Sequence, residues 1–119
     1  LTATQRQAIE QNLLRTAAAT IRRYDAGVSN WQSWHNAGLG AVGFALHDQD
    51  LINAAIDGKS GFRFQSRNSI QEEGFWYEGA WSYHFYALDA LVQLAQMAAA
   101  NGIDLWAEPS FQGMFSTPL

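Results

Sequence analysis

The chain has 119 residues, 48% of them hydrophobic and only 15% charged, where about 25% charged is usual, so a disordered chain is excluded: there is ample apolar surface to offset chain entropy. Seven Lys and Arg against eleven Asp and Glu give a net charge of −4, which argues against a nucleic-acid-binding face, and the apolar runs are too short for a membrane span. The absence of cysteine removes disulfide frameworks and thiolate zinc sites.

The first predicted element is a helix from Thr2 to about Tyr24. Ile9, Leu13, Leu14, Ala17, Ile21 and Tyr24 recur at helical spacing, which marks one face of a 3.6-residue period. Thr2 with Gln5, or Thr4 with Gln7, is placed for a capping box, and Gly27 for a left-handed stop. Asn30 is read as the N-cap of a second helix, Trp31 to about Leu46. Asp48 or Asp50 caps a short third helix that Gly58 stops. Phe62 to Ile70 is read as a weaker fourth. The stretch Ile70 to Gly79 is a loop in which Gly74 and Gly79 bracket three aromatics and an acid. A long helix follows from about Ala80 to Asn101, with Trp81, His84, Leu88, Leu91, Ala95 and Ala98 as its apolar stripe and Gly102 closing it. No strand is expected, so the fold class is all-α, in antiparallel helical hairpins. Leu13, Ile21, Val42, Leu88, Leu91 and Leu94 are the expected core.

The chain opens at Leu1 without a signal-peptide pattern and closes on an apolar, aromatic stretch from Pro109 to Leu119 with no helical period. With the aromatic excess, this reads as a single helical domain (1–119) that is one slice of a larger packed domain. An apolar patch left exposed would then favour self-association.

Gly38-Leu39-Gly40-Ala41-Val42-Gly43 matches G-x-G-x-x-G, but no strand delivers it to a helix N-terminus, as a dinucleotide site needs. Small residues that let a neighbouring helix approach closely are the better account. His35, His47 and His84 are never spaced i, i+3 or i, i+4, so no helix face offers a metal chelate, and no metal or cofactor is expected. His47 reads as a surface residue at a helix end. For His35 and His84 a structural role stands beside a functional one. Glu72, Glu73 and Glu78 offer a carboxylate pair for glycoside hydrolysis, although helix capping by one of them is the plainer reading.

Seven of the thirteen residues from Gly74 to Tyr86 are aromatic. Trp and Tyr combine a flat apolar face with a polar handle, which suits sugar rings that are both stacked on and hydrogen-bonded; an aromatic core or interface is the alternative. Candidate sugar contacts are Trp31, Trp34, Trp76, Tyr77, Glu78, Trp81, His84 and Tyr86. Arg63 and Arg67, at i, i+4, are candidates for contact with an acidic saccharide, with a solvated face as the plainer reading.

Three stretches resemble the heparinase II/III-like polysaccharide lyases and their oligo-alginate lyase relatives. They are Asn30-Trp31 followed by Asn36-Ala37-Gly38-Leu39; Glu73-Gly74-Phe75-Trp76-Tyr77-Glu78-Gly79, similar to a D-G-x-x-x-E-G loop with Glu for its Asp; and Tyr83-His84-Phe85-Tyr86-Ala87-Leu88, similar to a Y-H-x-Y-x-L helix start. The pattern runs from about Asn30 to Leu105. The resemblance implies part of an incomplete (α/α) toroid, with further toroid helices and β-sandwich domains as partners in the whole protein, and a secreted or periplasmic enzyme. It implies β-elimination on an acidic, uronate-containing polysaccharide or oligosaccharide, with no cofactor in this segment. By motif, Tyr83 is the catalytic tyrosine, and Asn36 or the adjacent His35 neutralises the uronate carboxylate. The family's second histidine and further arginines are not in this segment, so the segment alone is expected to be inactive. A non-catalytic carbohydrate-binding or packing module, and a toroid glycoside hydrolase using Glu73 and Glu78, are the alternatives.

Overall fold

The computed structural model describes residues 1–117; Pro118 and Leu119, the end of the apolar tail, lie outside the described residues. Helical backbone runs through α1 (Ala3–Ile9), a π-helical turn (Glu10–Leu14) and α2 (Arg15–Arg22). The Thr2–Gln5 capping box forms, with Thr2 Oγ1 accepting the Gln5 N–H at 3.1 Å and Gln5 Oε1 accepting the Thr2 N–H at 2.9 Å. The packed face differs in phase from the predicted one: Ala17, one turn after Leu13, is exposed, while Ala18 is buried. Only Leu14, Ala18 and Ile21 of this rod reach the core. Leu13, expected to be buried, is 60% exposed, and Tyr24 is also exposed. Gly27 has the expected positive φ of 58°, but it serves the loop after α2 rather than the helix end, which falls at Arg22.

The next two helices, α3 (Asn30–Leu46) and α4 (Gln49–Asp57), are joined by a tight link. His47 caps α3 in the left-handed region (φ 53°) and is exposed, the surface helix end expected of it. Asp48 caps α4, accepting the N–H groups of Asp50 and Leu51 at 3.0 and 3.2 Å. Gly58 ends α4, as expected. The glycine pattern in α3 serves helix packing. A Cβ on Gly43 would lie 2.9 Å from the Ile52 main-chain nitrogen, and one on Gly40 would strike Leu94.

The short α5 (Phe62–Asn68) precedes the loop from Ile70 to Gly79, and the long α6 (Trp81–Ala100) follows it. α6 packs along α3, which also packs on α4. Among the described residues there is no strand, only a one-residue antiparallel bridge between Ile70 and Trp76. The core is shared by α3, α4 and α6, with Val42, Leu91 and Leu94 buried as expected and Ile21 and Leu88 partly buried at its edge. Trp81, assigned to the buried stripe of α6, is instead exposed in the first turn, edge-on to Phe75 at 4.7 Å between ring centres.

The tail expected to lack periodicity contains α7 (Pro109–Ser116). Proline at the first helical position presets the backbone, and Phe111 and Met114, one turn apart, are buried. Gly74 (φ 86°) packs directly on this helix, where a Cβ would come within 2.5 Å of the Gly113 carbonyl oxygen.

Candidate functional site

Buried polar side chains fix the start of α3. Fully buried Gln65 donates from Nε2 to the Gly27 and Ser29 carbonyls at 3.0 and 2.9 Å, and its Oε1 accepts the Ser33 hydroxyl at 2.7 Å. Ser69 donates to the Val28 carbonyl at 2.8 Å. The loop before α3 is thereby tied to α5 at several points, and a half-satisfied network of this kind would be costly. The N-cap is Ser29, which accepts the Trp31 N–H at 3.1 Å; Asn30, read as the cap, is the first helical residue and has a different task.

That task involves Glu78. Its Oε2 accepts the Asn30 main-chain N–H at 3.0 Å, the Asn30 Nδ2 at 2.9 Å and the Trp76 indole N–H at 2.6 Å. One of the loop acids is thus a helix-capping group, as the plainer sequence reading had it. Burial works against ionisation of Glu78, but the hydrogen bonds from Trp76 and then Asn30 outweigh it and hold the carboxyl below the ordinary glutamate range. A carboxylate held in this way is a poor proton donor. Next to it, the Tyr77 phenol is pushed up, by burial first and then by the Glu78 charge.

An open groove of about 700 Å³ lies where α3 and α6 begin, lined by Ser29, Asn30 and Trp31 on one side, Ser82, Tyr83 and Tyr86 on the other, and Glu78. Trp31 is 69% and Tyr83 49% exposed. No side-chain hydrogen bond caps the α6 N-terminus, and Ser82 and Tyr83 of its first turn line the groove; the positive end of a helix dipole favours an anion.

Of the residues singled out in the sequence, the groove gathers Trp31, Glu78, Tyr83 and Tyr86. It does not gather the others. Asn36 is buried, donating to the Ser60 carbonyl at 2.8 Å and accepting from Gln32 Nε2 at 2.9 Å; both amide ends are occupied in the interior, so it is not available to a substrate carboxylate. His35 is half-buried outside the groove lining, its Nδ1 without a partner among the described residues. Trp34 is half-buried, 5.1 Å from the Tyr86 ring, and lines a separate cleft with Gln93 and Gln96. His84 is fully buried: Nδ1 accepts the Trp76 N–H at 3.2 Å and Nε2 lies 3.1 Å from the Met114 carbonyl. It is a structural pin, not a sugar contact. Trp76 is likewise fully buried, while Tyr77 and Trp81 are exposed and do not line the groove.

Arg63 and Arg67 are engaged with acids on other elements. Arg63 pairs with Asp57 at 2.6 Å and Glu108 at 3.3 Å, and Arg67 approaches Glu108 at 3.7 Å. The Asp57 hydrogen bond, before the Glu108 charge, raises the Arg63 pKa further. Glu72 and Glu73 are exposed in the turn. Among the described residues no cluster of three or more acidic or histidine side chains is placed to hold a metal, and no helix is long and apolar enough to cross a membrane. Sequence reading missed Asn30 as a groove residue; its place beside an N-cap serine concealed it, and only the long-range bond to Glu78 shows it.

Fold and groove together define an all-α domain with an aromatic, hydroxyl-bearing cleft at two helix starts. The chain belongs to the alginate lyase family, whose model matches residues 1–116. It is 32% identical over 114 residues to an alginate lyase of Pseudomonas putida KT2440, covering 87% of this chain and 29% of that protein. It is also 32% identical over 114 residues to an alginate lyase of Pseudomonas entomophila L48, covering 87% and 30%. An alginate lyase of Stenotrophomonas maltophilia K279a is 26% identical over 140 residues, covering 97% of this chain and 19% of that protein. The chain therefore spans under a third of the length of the curated relatives it matches. No solved structure matches it significantly.

Proposed function

We propose that this segment contributes the catalytic tyrosine and a carboxylate-neutralising amide to a lyase that cleaves alginate or a similar uronate polysaccharide by β-elimination. The observation that carries the reading is the convergence of Tyr83 and Asn30 on one open groove, in a chain of the alginate lyase family. The proton next to a uronate carboxylate is weakly acidic, so donors that absorb the charge growing on that carboxylate must be in place before it leaves. Asn30 and Asn36 are both buried, at 4% and 1% exposed, but Asn30 lines the groove, whereas both ends of the Asn36 amide are hydrogen-bonded in the interior. Tyr83 carries the proton as base, acid or both, and the glycosidic oxygen departs from the neighbouring carbon. Trp31 and Tyr86 offer aromatic faces for sugar rings.

The motif resemblance to heparinase II/III-like lyases supports the finer parts of the reading: an incomplete toroid completed by further helices, a β-sandwich partner, and export to the periplasm or beyond. In that arrangement the remaining helices, or a second copy, cover the exposed Trp81 and Phe85. The proposed step is routed through protein groups alone.

The test is Tyr83→Phe in the complete enzyme, assayed on alginate by the near-ultraviolet absorbance of the unsaturated uronate product. Loss of the hydroxyl should slow turnover by about 10²–10⁴-fold with folding unchanged. Near-full elimination activity would overturn the assignment, and reducing ends without the absorbance would point to hydrolysis.

A further inference from the structure

We infer that Glu78 is a positioning residue: its carboxylate orients the Asn30 amide so that an N–H, not the carbonyl oxygen, is presented to a uronate carboxylate in the groove. This rests on the reading of Asn30 and Tyr83 as partners at the reacting sugar.

An asparagine side chain has two ends of almost equal shape and opposite polarity. Which end faces the groove decides whether Asn30 attracts or repels an anion. An ionised carboxylate only accepts hydrogen bonds, so its contact with Asn30 at 2.9 Å requires the amide nitrogen at that point. The same Oε2 takes the Asn30 main-chain N–H at 3.0 Å. Two bonds from one residue to one atom close a small ring, which fixes the side-chain torsions of Asn30. The amide nitrogen carries two N–H groups; one is spent on Glu78 and the second has no partner among the described residues, on a residue that is 4% exposed and lines the groove.

The clamp is itself immobilised. Its third donor, the Trp76 indole at 2.6 Å, belongs to a fully buried side chain, and the Trp76 main chain is held by His84 at 3.2 Å. Glu78 therefore cannot swing away without unpacking the loop. Groups that orient a reacting group in this way commonly matter as much as some direct contacts.

The inference is tested by a double-mutant cycle in the complete enzyme on alginate, with circular dichroism reporting the fold. Asn30→Ala should lower kcat by about 10²–10³-fold. Glu78→Ala should lower kcat by about 10–10²-fold and change KM by less than about threefold, because an amide aimed at growing charge acts chiefly in the transition state. The double variant should be no slower than Asn30→Ala alone, since Glu78 acts through Asn30. Glu78→Gln, whose carbonyl still accepts, should recover activity to within about tenfold of the parent. If Glu78→Ala does not fold, the cycle is run with Glu78→Gln, and its smaller slowing should vanish in the Asn30→Ala background. Multiplying effects, an unchanged kcat for Glu78→Ala, or a Gln variant as slow as Ala would overturn the inference while leaving the lyase reading intact. Full activity in both Tyr83→Phe and Asn30→Ala would overturn the lyase reading, and this inference with it.

Discussion

His84 accepts the main-chain N–H of Trp76 on Nδ1 at 3.2 Å while its ring stacks on Phe75 with planes 10° apart. Its other nitrogen faces the Met114 carbonyl at 3.1 Å, so one imidazole ties the aromatic loop, α6 and α7 together. His84→Phe keeps the ring and removes both bonds, leaving a buried N–H and a carbonyl unpaired. Each orphan costs about 1–3 kcal/mol, so unfolding in urea should show a loss of about 2–6 kcal/mol. A loss under about 0.5 kcal/mol would mean that the loop is held by other contacts.

The glycines of α3 should differ in what they tolerate. Alanine in a helix interior is favoured over glycine by about 1 kcal/mol. At Gly43 the new Cβ would stand 2.9 Å from a main-chain nitrogen of α4, which cannot yield without moving the helix. Overpacking of that kind costs about 1–3 kcal/mol and outweighs the propensity gain. At Gly40 the obstacle is the flexible end of Leu94. Gly43→Ala should therefore lower the urea midpoint more than Gly40→Ala. The reverse order would put the close helix approach elsewhere.

Acid should weaken the fold through groups held ionised in it. Glu78 is depressed below the ordinary glutamate value of 4.5, by hydrogen bonds that outweigh its burial. Asp48 is depressed below 3.8, chiefly by its hydrogen bond from Arg15. A depressed native pKa means that the contribution is complete above the unfolded value. It declines as pH falls below that value and is gone below the native one. Stability measured in urea should thus fall on the acid side, and Glu78→Gln should flatten part of that slope. An identical slope in the variant would show that Glu78 carries no such linkage.

The helices were legible where local signals agreed with packing. Asp48 and Gly58 punctuate α4 as read, and Leu91 and Leu94 fill the core. The reading failed where the cause lay far along the chain or in backbone detail. The first rod packs on α3 through Leu14, Ala18 and Ile21 rather than through Leu13 and Ala17, a choice between adjacent faces that periodicity alone does not make. The helix at Pro109 carries only two buried apolar positions, too few to show a period. Of the residues lining the groove, Tyr83 was singled out by the resemblance to a Y-H-x-Y-x-L helix start and Glu78 as the acid of the glycine-flanked aromatic loop. Asn30 was not, because its partner lies 48 residues away.

On the proposed lyase reading, the two asparagines of α3 divide folding from chemistry. Asn36 is buried with its amide spanning Gln32 and the Ser60 carbonyl at 2.9 and 2.8 Å. Asn30 is also buried, at 4% exposed, but lines the groove together with Tyr83. Asn36→Ala would strand a buried carbonyl and an amide donor, at about 1–3 kcal/mol each, so its melting temperature should drop clearly. The enzyme that remains folded should keep the parental kcat, because nothing on Asn36 reaches the groove. Asn30→Ala should do the opposite: a smaller loss of stability, since Glu78 keeps the residue 30 main-chain N–H and the Trp76 indole as donors, with kcat reduced by about 10²–10³-fold. Unfolding midpoints and active-fraction-corrected turnover on alginate, measured side by side, decide the matter. If Asn36→Ala abolished turnover in fully folded enzyme while Asn30→Ala spared it, the amide at the reacting sugar would be Asn36, and the groove at the start of α3 would not be the reaction site.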